Sequence, residues 1–310
     1  MTPQPATSRP QLGHAPRIPK YLRKRVDAAL DDLAKRRVGD EDIHSARKSL
    51  KKARAALRLL RPGTSNARYR SLNAKLRDAA RPLSQVRDSK VLLDTLRSLQ
   101  RRHDKSMRSL QLAGFKHALD AERTKLAHQI TAPRNGALAH SRGLLRDCLR
   151  DAEHLPTDST TQWAIVADGL QRVYRKGRRA MAEARRSGEP AAFHEWRKQV
   201  KYLRYELELL EPLWPALVGE LADQAHKLSD YLGDEHDLTV LAETAAARHD
   251  LFRDEAALSQ LRSLVTKRQT ALRERSLLLG ARLFADKPQA FARRFEKYWK
   301  ELLQDRGRRH

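Results

Sequence analysis

A run of basic residues headed by a histidine occurs twice in this chain. His44, Arg47, Lys48, Lys51 and Arg54 recur 150 residues later as His194, Arg197, Lys198, Lys201 and Arg204. On an α-helix successive residues turn by about 100°, so offsets of three, four, seven and ten fall within roughly 120° of arc. Each copy therefore reads as one cationic helix face, which Arg58 extends in the first copy. Arginine presents a planar fork to phosphate-type oxygens and lysine a mobile point charge. The chemistry such a face offers is capture of an anion.

The competing account is a solvated surface. Like charges at i,i+4 repel by about a few tenths of a kcal/mol per pair, and between Ile43 and Asn66 no Asp or Glu offsets them. Any scattering of charge would serve solubility, whereas the same residue types at the same offsets in two copies call for a ligand. His44 and His194 lack the i+4 histidine or adjacent cysteine of a metal site, and neither a nucleotide loop nor a nucleophile accompanies them. No catalytic or metal-binding residue is expected. Their expected role is a hydrogen bond to a ligand oxygen. Neighbouring cations disfavour the imidazolium in an empty groove and a bound polyanion reverses this, so binding is expected to take up protons.

These faces need helices to carry them. After Ile18, apolar residues recur at spacings of three and four with no sustained period-two run, so the fold is expected to be all-α. Gly, Pro, Ser or Asp interrupt the pattern at 38–40, 61–65, 131–136, 155–159, 187–190, 211–215 and 286–288. The repeat itself spans 43–62 and 193–212, with nine identical positions. Leu50, Ala53, Leu57 and Leu60, and likewise Val200, Leu203, Leu207 and Leu210, fall opposite the charges as a core face. A weaker echo pairs Leu83, Asp88, Val91 and Leu92 with Leu232, Asp237, Val240 and Leu241.

The repeat implies two similar helical halves, 17–153 and 157–304, packed as a pseudo-twofold pair and joined through Pro156-Thr157-Asp158-Ser159. A disordered lead, 1–16, precedes them and a basic tail, 305–310, follows. Asp88 and Asp237 each open an apolar segment and are expected to be helix N-caps; the alternative is a carboxylate that holds an Arg or Lys of the cationic face in place. The run Leu170–Arg186 adds Arg172, Arg175, Lys176, Arg178 and Arg179, of which Arg175 and Arg179 are taken into the expected binding surface. Trp163, Trp196, Trp214 and Trp299 are expected to pack rather than to stack on bases.

Composition sets the outer bounds. In 310 residues, 63 Lys and Arg face 38 Asp and Glu, a net charge of +25, too basic for a partner-neutral enzyme. The 40% apolar content supports a packed core. No run of 18 apolar residues and no secretory h-region is present, so no membrane partner is expected and the expected location is the cytosol. Cys148 stands alone, which excludes an intramolecular disulfide and a multi-cysteine zinc site.

The frame His-x-x-Arg-Lys-x-x-Lys-x-x-Arg-x-x-Leu-x-Leu-Leu, present twice, and Leu232-Gly-Asp-Glu-His-Asp-Leu238 together resemble the CHAD family, the conserved histidine α-helical domain. Val173-Tyr-Arg-Lys-Gly-Arg-Arg179 and Lys287-Pro-Gln-Ala-Phe-Ala-Arg-Arg294 are also similar to it, and the likeness runs from about Pro16 to Leu303. The first half departs from the pattern, with Ser84-Gln-Val-Arg-Asp88 where the second has Gly233-Asp-Glu-His-Asp237. The resemblance implies two pseudosymmetric antiparallel helical bundles around a basic central channel that binds inorganic polyphosphate, in the cytosol and at polyphosphate granules. It implies ligand residues at His44, Arg47, Lys48, Lys51 and Arg54 and at His194, Arg197, Lys198, Lys201 and Arg204, and no cofactor. The family often follows a triphosphate-tunnel (CYTH) domain; with about 16 residues before the fold, no such enzymatic fusion is expected here.

The expected function is thus non-enzymatic, electrostatic binding of polyphosphate, in a channel that also suits free phosphate or sulfate ions. One rival is a nucleic-acid-binding helical protein. The 5% aromatic content and the lack of helix-turn-helix spacing leave that contact non-specific. A polyphosphate-processing phosphotransferase using His44 or His194, and a helical scaffold that reaches granules through another protein, are the remaining alternatives.

Overall fold

A computed structural model describes residues 17–103, 107, 112–131, 136–155 and 159–307, which form helices and no strand. The lead 1–16, the link 156–158 and the last tail residues 308–310 lie outside them. Among the described residues the first half supplies α1 (Ile18–Ala34), α2 (Asp40–Leu59), α3 (Asn66–Arg102), α4 (Ala113–Thr131) and α5 (Ala137–Ala152). The second supplies α6 (Ser159–Ser187), α7 (Pro190–Leu210), α8 (Pro215–Ala247), α9 (Glu255–Leu283) and α10 (Pro288–Gly307).

The two repeat copies are α2 and α7. The α2 N-terminus is secured by Asp42, whose carboxylate accepts the Gly39 N–H at 2.9 Å and pairs with Lys35. Pro190 starts α7, where its missing N–H costs nothing, after Gly188 turns the chain at φ +67. In both, the residues opposite the charges are fully buried: Leu50, Ala53, Leu57 and Leu60 on α2, and Val200, Leu203, Leu207 and Leu210 on α7.

The order of neighbours repeats along the chain. α1 packs on α2 as α6 packs on α7, α2 on α3 as α7 on α8, α3 on α4 as α8 on α9, and α1 on α5 as α6 on α10. Like elements also meet across the halves, α2 with α7 and α3 with α8. Neither hydrophobic cluster belongs to one half. The larger joins Leu22, Leu50 and Leu57 to Tyr174, Trp196, Leu207 and Phe291, and the smaller joins Leu93, Leu96 and Phe115 to Leu241, Leu261 and Val265. The larger core therefore ties α2 to α7 across the repeat boundary, and the smaller ties α3 and α4 to α8 and α9. Trp163, Trp196 and Trp299 are buried as expected of packing residues, whereas Trp214 is exposed, its ring edge-on to Tyr298. Among the described residues no helix is long and apolar enough to cross a membrane.

Candidate functional site

α2 and α7 run past each other in opposite directions. Lys52 meets Glu208 at 2.8 Å and the Arg58 guanidinium lies 3.6 Å from the Tyr202 ring centroid, so numbers rise on one helix as they fall on the other. The crossing leaves a basic cleft on either side. The first, ≈ 250 Å³, is walled by His44, Arg47, Lys48 and Lys51 from α2 and closed by Arg204 and Tyr205 from α7 and His226 from α8. The second, ≈ 210 Å³, takes Arg58 from α2, Arg61 and Tyr69 beyond it, Arg172 and Lys176 from α6, and Glu195, Lys198, Gln199 and Tyr202 from α7. Among the described residues no acidic side chain lines the first cleft, and Glu195 is the one acid lining the second.

Close backbone packing places the α6 cations. A Cβ at Gly169 would stand 2.5 Å from the Leu59 carbonyl oxygen, so only glycine lets α6 cross the end of α2 at this depth. One turn on, the Arg172 guanidinium donates to the Arg58 carbonyl at 2.8 Å. Burial, then the charges of Arg61 and its neighbours, hold Arg172 below the usual arginine range; Lys176 is lowered by burial and then by Arg172. Such crowding of like charge favours an anion.

The predicted residues divide between the clefts and the ground between them. His44, Arg47, Lys48, Lys51 and Arg204 share the first cleft; Arg58 and Lys198 line the second. His194, Arg197 and Lys201 line neither and are half-buried on the side of α7 that faces α8. Burial pushes the Lys201 ammonium down to about 7, with Arg197 and Lys51 adding repulsion, so the two copies feel each other's charge across the crossing. Arg54 donates to Asn73 Oδ1 at 3.3 Å and lies outside the lining of both clefts. So do Arg175, half-buried, and Arg179, exposed; on α6 the cleft-lining cations are Arg172 and Lys176.

The N-cap expectation for Asp88 and Asp237 is overturned. Both sit inside long helices, α3 and α8, and each carboxylate lies 3.8 Å from the equivalent arginine, Asp88 from Arg47 and Asp237 from Arg197. The holding role, the alternative reading of the sequence, is what the geometry shows. The motif around Asp237 acts as a set. Glu235, buried, takes two bonds from Arg273 of α9, at 2.8 and 2.7 Å, and the same guanidinium reaches the Gly188 carbonyl at 2.9 Å before α7. His236 Nδ1 stands 3.2 Å from His194 Nδ1. Two imidazoles in that contact need one donor and one acceptor, so the pair holds together only while at least one is neutral. Burial, then Arg197, lowers both: His194 below its ordinary value and His236 to about 4. In the first half Asp88 keeps its place, and the side chains at 85–87 lie outside the described ones.

Sequence reasoning did not select Arg61, Tyr69, Tyr202 or His226 for the site, although Arg61 stands in the acid-free stretch after Ile43. A third cleft, ≈ 190 Å³ between α3, α8 and α9, mixes Asp94, Asp234 and Asp237 with Arg102 and Arg268 and so lacks the one-signed lining that suits a polyanion.

The family model of the CHAD domain matches residues 20–246, which include both repeat copies, both paired aspartates and the Gly-Asp-Glu-His-Asp motif. This chain belongs to the CHAD domain family. The matched stretch ends within α8, so Arg273 of α9, which anchors the CHAD motif residue Glu235, lies beyond it. Among solved structures, PptA from Streptomyces chartreusis aligns with a TM-score of 0.62 at 15% identity, covering 88% of this chain and 100% of that one. The CHAD domain from the plant Ricinus communis aligns at 0.59 and 18% identity, covering 91% and 97%. At these identities the likeness is one of fold. No curated protein sequence matches.

Proposed function

We propose that this CHAD protein binds inorganic polyphosphate electrostatically, without processing it, and associates with polyphosphate granules. The observation that carries this reading is the first cleft, where four basic residues of one repeat copy face Arg204 of the other with no acid in the lining. Membership in a family whose resemblance implies a polyphosphate channel supports it. A flexible chain with one negative charge per residue fits clefts of 210 to 250 Å³ better than a duplex does. The clefts also offer little for base stacking, since Tyr205 is buried and Tyr202 is covered by Arg58. Free phosphate or sulfate would occupy the same positions more weakly.

The test is binding of size-graded polyphosphate to the wild type and to a Lys51→Glu, Lys201→Glu double variant. Loss of affinity with helicity retained supports the reading, and undiminished affinity refutes it. Displacement of long-chain polyphosphate by duplex DNA or RNA at equal charge concentration would transfer the site to nucleic acid. Chain shortening or transfer in the presence of Mg²⁺ or Mn²⁺ would make the protein an enzyme.

A further inference from the structure

The two repeat copies differ most in acid content. The residue after the histidine is Ser45 in the first and Glu195 in the second, and the second copy also carries Glu206 and Glu208 where the first has Ala56 and Arg58. Glu208 is engaged by Lys52 and Arg204, and Glu206 is fully buried. Glu195 is different, because it stands in the second cleft. One of its carboxylate oxygens pairs with Lys198, and the other accepts the Gln199 side-chain amide at 2.6 Å. It thus occupies the α7 donors that a phosphate entering this cleft would use.

We infer that Glu195 is a displaceable internal competitor for phosphate in the second cleft and makes that cleft selective for long chains; the inference rests on the polyphosphate reading above. Lys198 and Glu195 are 44% and 48% exposed, so their pair is weak enough for a stronger anion to break. The other side chains of the cleft, Arg58, Arg61, Arg172 and Lys176, keep it cationic after the exchange. Lys48, the repeat equivalent of Lys198, lies in the first cleft, where no acid lines the wall. An oligophosphate therefore enters the first cleft without displacing a carboxylate from its wall, since Asp88 and Glu208, which pair with Arg47 and Arg204, stand outside the lining. Lys51 and Arg58 lie seven residues apart on α2, about 10 Å along the axis, so a longer chain anchored in the first cleft presents its next phosphates to the second at high effective concentration. It displaces Glu195, which a short one in free solution does not.

The experiment compares tripolyphosphate with long-chain polyphosphate on the wild type, Glu195→Ser, Glu195→Gln, Lys48→Ala and Lys198→Ala, with circular dichroism as the folding control. Glu195→Ser is expected to raise long-chain affinity by about two- to fivefold and to leave tripolyphosphate unchanged. Glu195→Gln, which retains a polar partner for Gln199, should do the same and stands in if the serine variant folds poorly. Lys48→Ala should weaken both ligands, and Lys198→Ala the long chain alone. Equal gains for both ligands, or no long-chain gain in either Glu195 variant, overturn the length selection. A wild type that binds neither ligand overturns the polyphosphate reading itself, and that outcome is visible before any variant is compared.

Discussion

The guanidinium of Arg197 lies 3.8 Å from the carboxylate of Asp237, and burial holds that guanidinium below the usual arginine range while Asp237 opposes the shift. Its Nε is buried without a hydrogen-bond partner among the described residues. Asp237 is thus the countercharge that lets a cation sit deep beside α8. The repeat-related pair, Arg47 and Asp88, has the same separation, but Asp88 is 72% exposed against 25% for Asp237. Asp237→Asn is expected to lower stability by about 1–3 kcal/mol, as removing one partner of a partly buried pair does, and Asp88→Asn by no more than about 0.5 kcal/mol. Urea unfolding measures both. Added polyphosphate should restore more stability to Asp237→Asn than to the wild type, because negative charge bound in the first cleft offsets part of the unbalanced charge on Arg197.

Proton linkage follows from Lys201. In the free protein its ammonium titrates at about 7, and His236 at about 4. A bound polyanion raises both, so binding takes up protons between the free and bound values. The Lys201 contribution to affinity is fully present below pH 7 and is lost as pH rises through the bound-state value. Calorimetry at pH 8 in buffers of different ionisation heat should count close to one proton in the wild type and markedly fewer in Lys201→Arg, whose side chain stays charged throughout. Equal uptake in the two proteins would remove Lys201 as the source.

Salt dependence separates the clefts from the remaining charge. If about six to ten phosphates are neutralised, affinity should fall roughly 10³- to 10⁵-fold between 50 and 200 mM salt. Lys51→Ala should reduce the slope of log affinity against log salt by about 1. Arg175→Ala and Arg179→Ala should leave it nearly unchanged, since neither side chain lines a cleft. A slope that responds equally to all three would mean that the ligand follows the general surface field.

The helices, the duplicated faces and their buried sides were legible because amphipathic period and repeat are local properties of the chain. The breaks after α3 and α8 were not, since Arg248-His249-Asp250-Leu251 carries neither Gly nor Pro, and the chain is stopped there by a 3₁₀ turn and restarted by the Asp254 side chain capping the Ala257 N–H at 2.8 Å. For Asp88 and Asp237 the residue type suits a cap and an ion pair alike, and only the packing of α3 and α8 beside Arg47 and Arg197 decides for the pair. Partition between clefts depends on the crossing of α2 and α7, which no single helix encodes. Lys198 is assigned to the same stripe as Lys201 by its offset, and the crossing turns it toward Arg58 instead. Arg172 and Lys176 share their run with Arg175 and Arg179, and the close packing of α6 on α2 at Gly169 is what separates the two pairs.

Glu206 gives the last prediction. It is fully buried, both of its carboxyl oxygens lack hydrogen-bond partners among the described residues, and burial raises its pKa well above the ordinary carboxyl range, with Arg58 and Arg172 only partly opposing this. The folded protein therefore keeps a proton that the unfolded chain releases near pH 4.5. The sign is fixed: stability is greatest below that pH and falls as pH rises toward the folded-state value. At the equivalent place the first copy has Ala56, so the helix itself does not need a carboxyl there. Glu206→Met, similar in length and free of charge, is expected to raise stability at pH 8 by about 1–4 kcal/mol, as apolar replacement of a buried ionisable group can, and to raise it less at pH 5. Urea midpoints of wild type and variant across that range test this. A wild-type stability that does not fall from pH 5 to pH 8 relative to Glu206→Met would show that Glu206 finds a partner in solution that satisfies its charge.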